Sequence, residues 1–410
     1  MKGLVEETAA PPPYNLFQEP TRLRRRLRTS RRLRSLAFAS ILLLGYTCLL
    51  NVKEILDVAI GTTPSHSLVR QRFQQGLDQC YAADARSLND APSARRSNPR
   101  WEPRAGQRKR IVLRNVTLFD GDTILPNTVD VVFEKGLIHS VSTSDTNSHD
   151  STSEEAEVVD LHGRFVTPGL VDMHSHHLES SFPSLRATGD INEAPGLGPI
   201  TPFVRAVDGF KPYDPAIKII ASGGVTSSLN LPGSANIIGG EAYLVKNLPA
   251  AGPNAEQVVE DLLFDRGVEP ESRRRYLKLA CGENPKGKYG HTRLGLAWLL
   301  REHLNKAKEL ADRQDAWCRD ALEIAQSNSL RRDERLSRFL AASGTRPDDF
   351  ELKTTVALIR GELNVNIHCY EPEDFESILS VLHEFGVHPN AFHHALEAWQ
   401  VPEFLKRSER

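Results

Sequence analysis

Cysteine is scarce in this chain of 410 residues: there are five, and no two form a C-x-x-C pair. The spacing excludes a zinc knuckle and gives no sign of a disulfide framework. One bridge among Cys80, Cys281, Cys318 and Cys369 stays open in an oxidising compartment. Charge of one sign is also lacking. The formal net charge is −2, which removes the overall basic excess that binding to nucleic acid needs. With 40% hydrophobic and 25% charged residues, the composition is that of an ordinary globular protein. It is long enough for one large domain or two to three smaller ones.

Long uncharged apolar runs are absent, with one exception. "SLAFASILLLGYTCLLNV" (35–52) holds 18 residues without a charge. It follows "TRLRRRLRTSRRLR" (21–34), which has eight arginines and no acid. An apolar core of that length just reaches across about 30 Å of hydrocarbon. Arginines on the N-terminal flank put that end in the cytoplasm. The reading is an uncleaved signal anchor: a cytoplasmic basic tail over 1–34, a transmembrane helix over 35–52, and everything beyond facing the lumen or the exterior. A cleaved signal peptide is disfavoured by the long polar region before the core. A basic amphipathic helix lying on the membrane is the alternative. The arginine run lacks the interleaved aromatics on which single strands stack, so anionic lipid headgroups suit it better than nucleic acid. On the lumenal side, Asn115-Val116-Thr117 becomes a candidate glycosylation site, although it falls inside an expected strand.

Residues 53–109 read as a linker or stalk, rich in Ser, Pro and Arg toward its end. At 110 the pattern changes. "RIVLRNVTLF", "TVDVVFEKGLIHSVS" and "EVVDLHGRFVTPG" alternate apolar and polar residues, which predicts a small antiparallel sheet over 110–166, part of a β-sandwich. From 167 to 410 short apolar strands alternate with helices. "LVDMH", "VTSSLNL", "SRRRYLKLACGE", "ELNVNIHCY" and "GVHPNAFHHA" read as strands. "PAIKIIASGG", the long 292–325 stretch and "DFELKTTVALIRG" read as helices, two of them ending on glycine. Such alternation predicts a parallel α/β architecture with function at the carboxyl ends of the strands.

Those ends share a chemistry. His174 and His176 close the first strand, Glu283 follows "YLKLAC", His368 ends "LNVNIH", and His393 and His394 end "PNAFHH". A lone histidine at a strand end is usually a hydrogen-bonded structural residue, but four strands delivering His or Glu to one rim is a different matter. Imidazole nitrogens with one carboxylate, and a position left open for water, make up a catalytic zinc site.

"VTPGLVDMHSHH", preceded by "VVDLHGR", resembles the opening of amidohydrolase-superfamily enzymes. "ASGGVTSSLNLPGSANIIGGEAYLVK" and "LACGENPKGKYG" resemble the imidazolonepropionase-like branch more closely. The resemblance runs from about residue 110 to the C-terminus. It implies a (β/α)₈ barrel of TIM type holding one or two divalent metals, zinc foremost, together with a small β-sandwich. It implies His174, His176, His368 and His394 as metal ligands, with His393 competing for the last place. It also implies Glu283 as the ligating or bridging acid, with a carboxylated Lys278 as the fallback, and Glu283 and His368 as the catalytic groups. His177 falls outside the ligands, Asp172 orients the strand end or a ligand histidine, and "GSANIIGGE" forms a Gly-rich loop over the site or a tight turn that needs glycine. Superfamily members carry an aspartate at the end of an eighth strand, whereas here the chain reaches "VPEFLKRSER" one helix past the sixth-strand histidine. The expected barrel is therefore incomplete: open-edged, truncated, or completed by a partner. The implied function is hydrolysis of non-peptide carbon–nitrogen bonds, amide or cyclic amide, in a small-molecule substrate by a membrane-anchored protein. The alternative is a catalytically inactive metal-binding or interaction module.

Overall fold

Two sheets and a set of outer helices carry the chain from His66 onward. The structure is a computed structural model and describes residues 66–84, 98–101, 110–144, 156–192, 195–248, 258–327 and 331–407. The expected basic tail and membrane helix over 1–52 lie outside the described residues. Among those described, no helix is long and apolar enough to cross a membrane.

Part of the expected stalk is a helix instead, α1 (His66–Asp84). The first sheet follows, with β1 (Arg110–Leu118), β2 (Val129–Glu134), β3 (Leu137–Thr143), β4 (Ala156–Asp160) and β5 (Phe165–Val166). Its order is β3-β2-β1-β4, with β5 also on β1. The expectation of a purely antiparallel sheet is corrected here. β1–β2 and β2–β3 are antiparallel, but β4 and β5 run parallel to β1. The dozen residues between Thr143 and Ala156 are enough to return the chain to the far edge, which a parallel pairing requires. Val116, Val129 and Val131 bury the shared face. Asn115 sits at a bulge in β1 with φ 52, and its Nδ2 donates to both Asp160 oxygens at 3.0 and 2.9 Å. The glycosylation candidate therefore has its amide nitrogen already engaged.

The second sheet begins with β6 (Leu170–Ser175), then α2 (Ala216–Ser222), β7 (Val225–Asn230), β8 (Ile238–Lys246), α3 (Val259–Leu262) and β9 (Tyr276–Ala280). It continues through α4 (Glu283–Tyr289), α5 (Arg293–Gln326), α6 (Arg332–Ser343), α7 (Lys353–Ile359), β10 (Asn364–Cys369), α8 (Pro372–Glu384), β11 (Ala391–His394) and α9 (Pro402–Arg407). The strand order is β11-β10-β9-β8-β7-β6. The all-parallel expectation fails at one strand: β8 pairs antiparallel with both β7 and β9. Its start takes in the last four residues, 238–241, of the run read as a glycine-rich loop. Its glycines answer a close approach rather than a turn. A Cβ on Gly240 would lie 2.4 Å from the Val204 carbonyl oxygen, and φ there is +128.

The outer faces of β9 and β10 place Leu277, Leu279, Val365 and Ile367 against Leu296, Leu300 and Leu304 of α5 and Phe375, Ile378 and Leu382 of α8. Each such side chain contributes about 1.5–3 kcal/mol by leaving water. The 34 residues of α5 extend about 51 Å, well beyond the sheet. Its middle packs Ala307, Leu310 and Ala311 on Val356, and its end packs Trp317, Ala321 and Ile324 on Val69, Phe73 and Leu77 of α1 and Leu336 of α6. Cys80 and Cys318 bridge α1 to α5 with Cα atoms 5.6 Å apart. A second pair, Cys281 and Cys369, is bonded between β9 and β10 with Cα atoms 5.4 Å apart. The cysteine reading allowed one bridge; there are two. Partners 238 and 88 residues apart leave no trace in local spacing.

Opposite edges of the sheet meet. The His174 ring, on β6, lies 4.6 Å from that of His393 and 4.5 Å from that of His394, both on β11 (centroid to centroid). The sheet therefore curls into a nearly closed, barrel-like form of six strands, one of them antiparallel, where the sequence predicted part of an eight-stranded parallel barrel.

Candidate functional site

His174 lies on β6 and His176 one residue past its end, and the two rings come to the same side with their Nε2 atoms 3.2 Å apart. Register does the same across β9, β10 and β11. Lys278 pairs with Asn366, and His368 pairs with Ala280 on one side and His393 on the other. These side chains line the inner side of the curl while the leucines between them face the helices.

The rings of the set touch edge to face. His174 lies 4.9 Å from His176, and His394 lies 4.8 Å from His368. His176 Nδ1 donates to the Leu231 carbonyl at 2.8 Å, because a carbonyl can only accept. That leaves the lone pair on Nε2, which stands 3.2 Å from His174 Nε2. Two imidazole nitrogens on one tetrahedral zinc stand about 3.3 Å apart. His393 Nε2 donates to Asn366 Oδ1 at 3.2 Å, so this histidine is the buried one of its pair, while His394 ends the strand, exposed, with φ 62. The rings of both reach His174, and the His394 ring also lies against that of His368, whose register partner on β11 is His393. Glu283 opens α4 with Oε1 3.5 Å from His368 Nε2, and the Asn284 amide donates to the same nitrogen at 3.0 Å.

Two other expected residues lie apart from this ring. His177 is buried, with Ser175 Oγ 2.7 Å from its Nδ1 and Asn247 Oδ1 3.0 Å from its Nε2, so it ties β6 to the end of β8. Asp172 Oδ1 accepts from the His174 backbone N–H at 3.0 Å and shapes the strand end.

Lys278 proves more central than its place as a fallback. It is fully buried, and its Nζ donates to the Pro232 carbonyl at 3.1 Å. Burial pushes its pKa down to about 7, against the pull of Glu179. Burial first, and then the Lys278 ammonium, hold the imidazoles neutral: His174 at about 2, His176 at about 4, and His368 and His393 at about 3. His394 is lowered by the same two causes. A signal for Lys278 was in the sequence: a lysine in the middle of the apolar strand "YLKLA" has no surface to reach.

The chemistry of these donors fits a divalent cation. The imidazoles are neutral, as ligands must be. His174 Nδ1, His368 Nδ1 and both Glu283 oxygens are buried without a hydrogen-bond partner. Buried polar atoms are nearly always paired, so a group of orphans at one rim marks a place for something else to bind. As posed, no three His, Cys, Asp or Glu side chains among the described residues surround a common point. The rings pack against one another instead, and rotation of these side chains, without movement of the strands, is what entry of a cation would require.

The fold and site define a class: a curled mixed sheet with outer helices and an imidazole-lined inner rim. No family model matches the chain. It is 35% identical over 421 residues to the protein named amidohydrolase tasK of Hapsidospora irregularis, covering 97% of this chain and 40% of that protein. The chain thus spans about two-fifths of the length of that relative. Among solved structures it is similar to an amidohydrolase from Thermotoga maritima MSB8, with TM-score 0.56 and 28% identity over 72% of this chain and 67% of the other. In sequence the chain is similar to the first of these amidohydrolases, and in fold to the second.

Proposed function

We propose that this protein belongs to the amidohydrolase superfamily and hydrolyses carbon–nitrogen bonds other than peptide bonds, amide or cyclic amide, in a small-molecule substrate. The observation that carries the reading is the convergence of five imidazoles and Lys278 on one rim of a curled sheet. His174, His176, His368 and His394 would hold a divalent cation, with Lys278 or Glu283 as the further ligand or bridge. When bound, such a cation supplies Lewis acidity, polarising a carbonyl and bringing the pKa of a water toward about 7. The chain's own part is positioning and proton handling. The Leu231 carbonyl and Asn366 orient His176 and His393. Glu283, beside His368 with two unpartnered oxygens, is placed to hold a proton at Oε1 and return it to a leaving nitrogen.

The two disulfides favour an oxidising compartment. That agrees with an anchor over 35–52 and a lumenal or exterior hydrolase domain, which we retain as part of the proposal.

Zinc analysis of the purified protein, with a panel of cyclic amides and N-acyl amino compounds, tests the reading. Wild type is expected to carry at least one zinc and turn over one of these classes, and the His174→Ala, His176→Ala double variant to lose both. Zinc retained with no turnover across the panel would favour a metal-binding module, and no zinc at all would end the reading.

A further inference from the structure

Glu283 is placed by the residue before it. Gly282 turns the chain from the end of β9 into α4 with φ +72, a conformation that favours glycine. Room is missing there as well: a Cβ at Gly282 would lie 2.3 Å from Asp374 Oδ2. Asp374, in the first turn of α8, is 2% exposed and stands against that turn. Its carboxylate is held by a fork. Arg293, the first residue of α5, donates from Nε to Oδ1 at 2.6 Å and from Nη2 to Oδ2 at 3.0 Å. Nη2 also donates to Glu371 Oε2 at 2.6 Å. Two parallel bonds from one guanidinium fix direction as well as distance. The turn so backed sends Glu283 Oε1 to 3.5 Å from His368 Nε2, and the Asn284 amide to 3.0 Å from the same nitrogen. A second fork ties the same two helices, from Arg301 of α5 to Glu384 of α8, with both bonds at 2.7 Å and both side chains exposed. Glu384 lies about 15 Å along α8 from Asp374, so this pair docks the helices without touching the turn.

We infer that Asp374, held by Arg293, is a positioning residue for the imidazole rim: its carboxylate fixes the Gly282 turn that brings Glu283 to His368. The inference rests on the metal-centre reading above, with Glu283 as a ligand or bridge. It adds two residues that act on the site through the main chain and touch neither cation nor substrate. An ion pair between helices also serves to dock them, and the Arg301–Glu384 pair is the measure of that simpler role.

The test is zinc titration of metal-free protein against a competing chelator, in a set of variants. Asp374→Asn keeps the shape and loses the charge that faces Arg293. It should weaken zinc binding by about tenfold, the usual effect of removing a partner behind the ligands. Arg293→Lys keeps the charge but not the fork, so it should weaken binding in the same direction by less, and it carries the test if Asp374→Asn folds poorly. Arg301→Ala breaks only the second fork and should bind zinc as wild type does. Glu283→Gln should itself weaken binding, and Asp374→Asn added to it should change the affinity by no more than about twofold, the scatter expected of such a cycle. Wild-type affinity in Asp374→Asn overturns the inference. So does the full loss repeated in the Glu283→Gln background, or an equal loss in Arg301→Ala, since either makes Asp374 a general support of the fold. Glu283→Gln binding zinc as tightly as wild type removes Glu283 from the site, and the inference with it, while leaving the imidazole centre. If wild type binds no zinc, the metal-centre reading itself falls and takes this one with it.

Discussion

Five imidazoles at one rim would repel one another if charged, and burial keeps them neutral. Their folded-state pKa values lie below the ordinary 6.5, so the unfolded chain binds protons more readily. Stability from the neutral rings is complete above about 6.5 and is lost as pH falls through the folded values, near 4 for His176 first. The thermal midpoint of metal-free protein should therefore fall steadily between pH 6.5 and 4, and fall less steeply in His176→Ala. A midpoint that stays flat over that range would contradict the neutral cluster. Lys278 adds a second lever. Its ammonium lowers every histidine of the rim, so Lys278→Met should raise the imidazole pKa values in an NMR titration of the ring protons. Of the residues in question, His174, His176, His368 and His394 were legible because strand ends and alternation are local. Asp374 was not: an acid in the first turn of a helix looks solvated until the fold buries it.

At the scale of elements, α5 links two environments. One end packs on the barrel-like sheet, and the other forms a small helical core with α1 and α6. Gly76 of α1 faces that core, where an added Cβ would come 2.3 Å from the Trp317 ring. Helix propensity alone favours Gly76→Ala by about 1 kcal/mol. Overpacking costs about 1–3 kcal/mol. The ring is clamped by Phe73 and Phe339 and its Nε1 donates to the Gly344 carbonyl at 3.1 Å, so it cannot retreat and the cost should win. A net loss of about 1 kcal/mol in denaturant unfolding is expected, and stabilisation would show that the helix end is free to shift. β8 carries the opposite lesson from α5. The helix was readable from its period, whereas Gly239 and Gly240 spoke for a loop because the segment that presses on them, Val204 with its neighbours, lies far away in sequence.

For the whole molecule, the decisive feature is the curl that brings β6 against β11. Those two strands are the ends of the hydrogen-bonded order, so their meeting rests on side chains. A cation held by residues of both strands would staple the two edges. Zinc at about 100 times its dissociation constant should then stabilise the protein by about 2.7 kcal/mol, and chelator should remove that gain. Scanning calorimetry with and without zinc would show it, with the His174→Ala variant unresponsive. A wild-type midpoint indifferent to zinc would mean that the edges are held by packing alone.

Sequence by itself determined the strand–helix alternation after residue 167, the delivery of histidines to strand ends and the likeness to amidohydrolases. Each depends on neighbours within a few residues, where periodicity and motif are written directly. Only the tertiary structure decided the direction of β8, the two disulfides, the helix within the expected stalk and the burial of Lys278 and Asp374. These are contacts between segments distant along the chain, and burial, which sets both charge state and pairing, exists only once those segments have met.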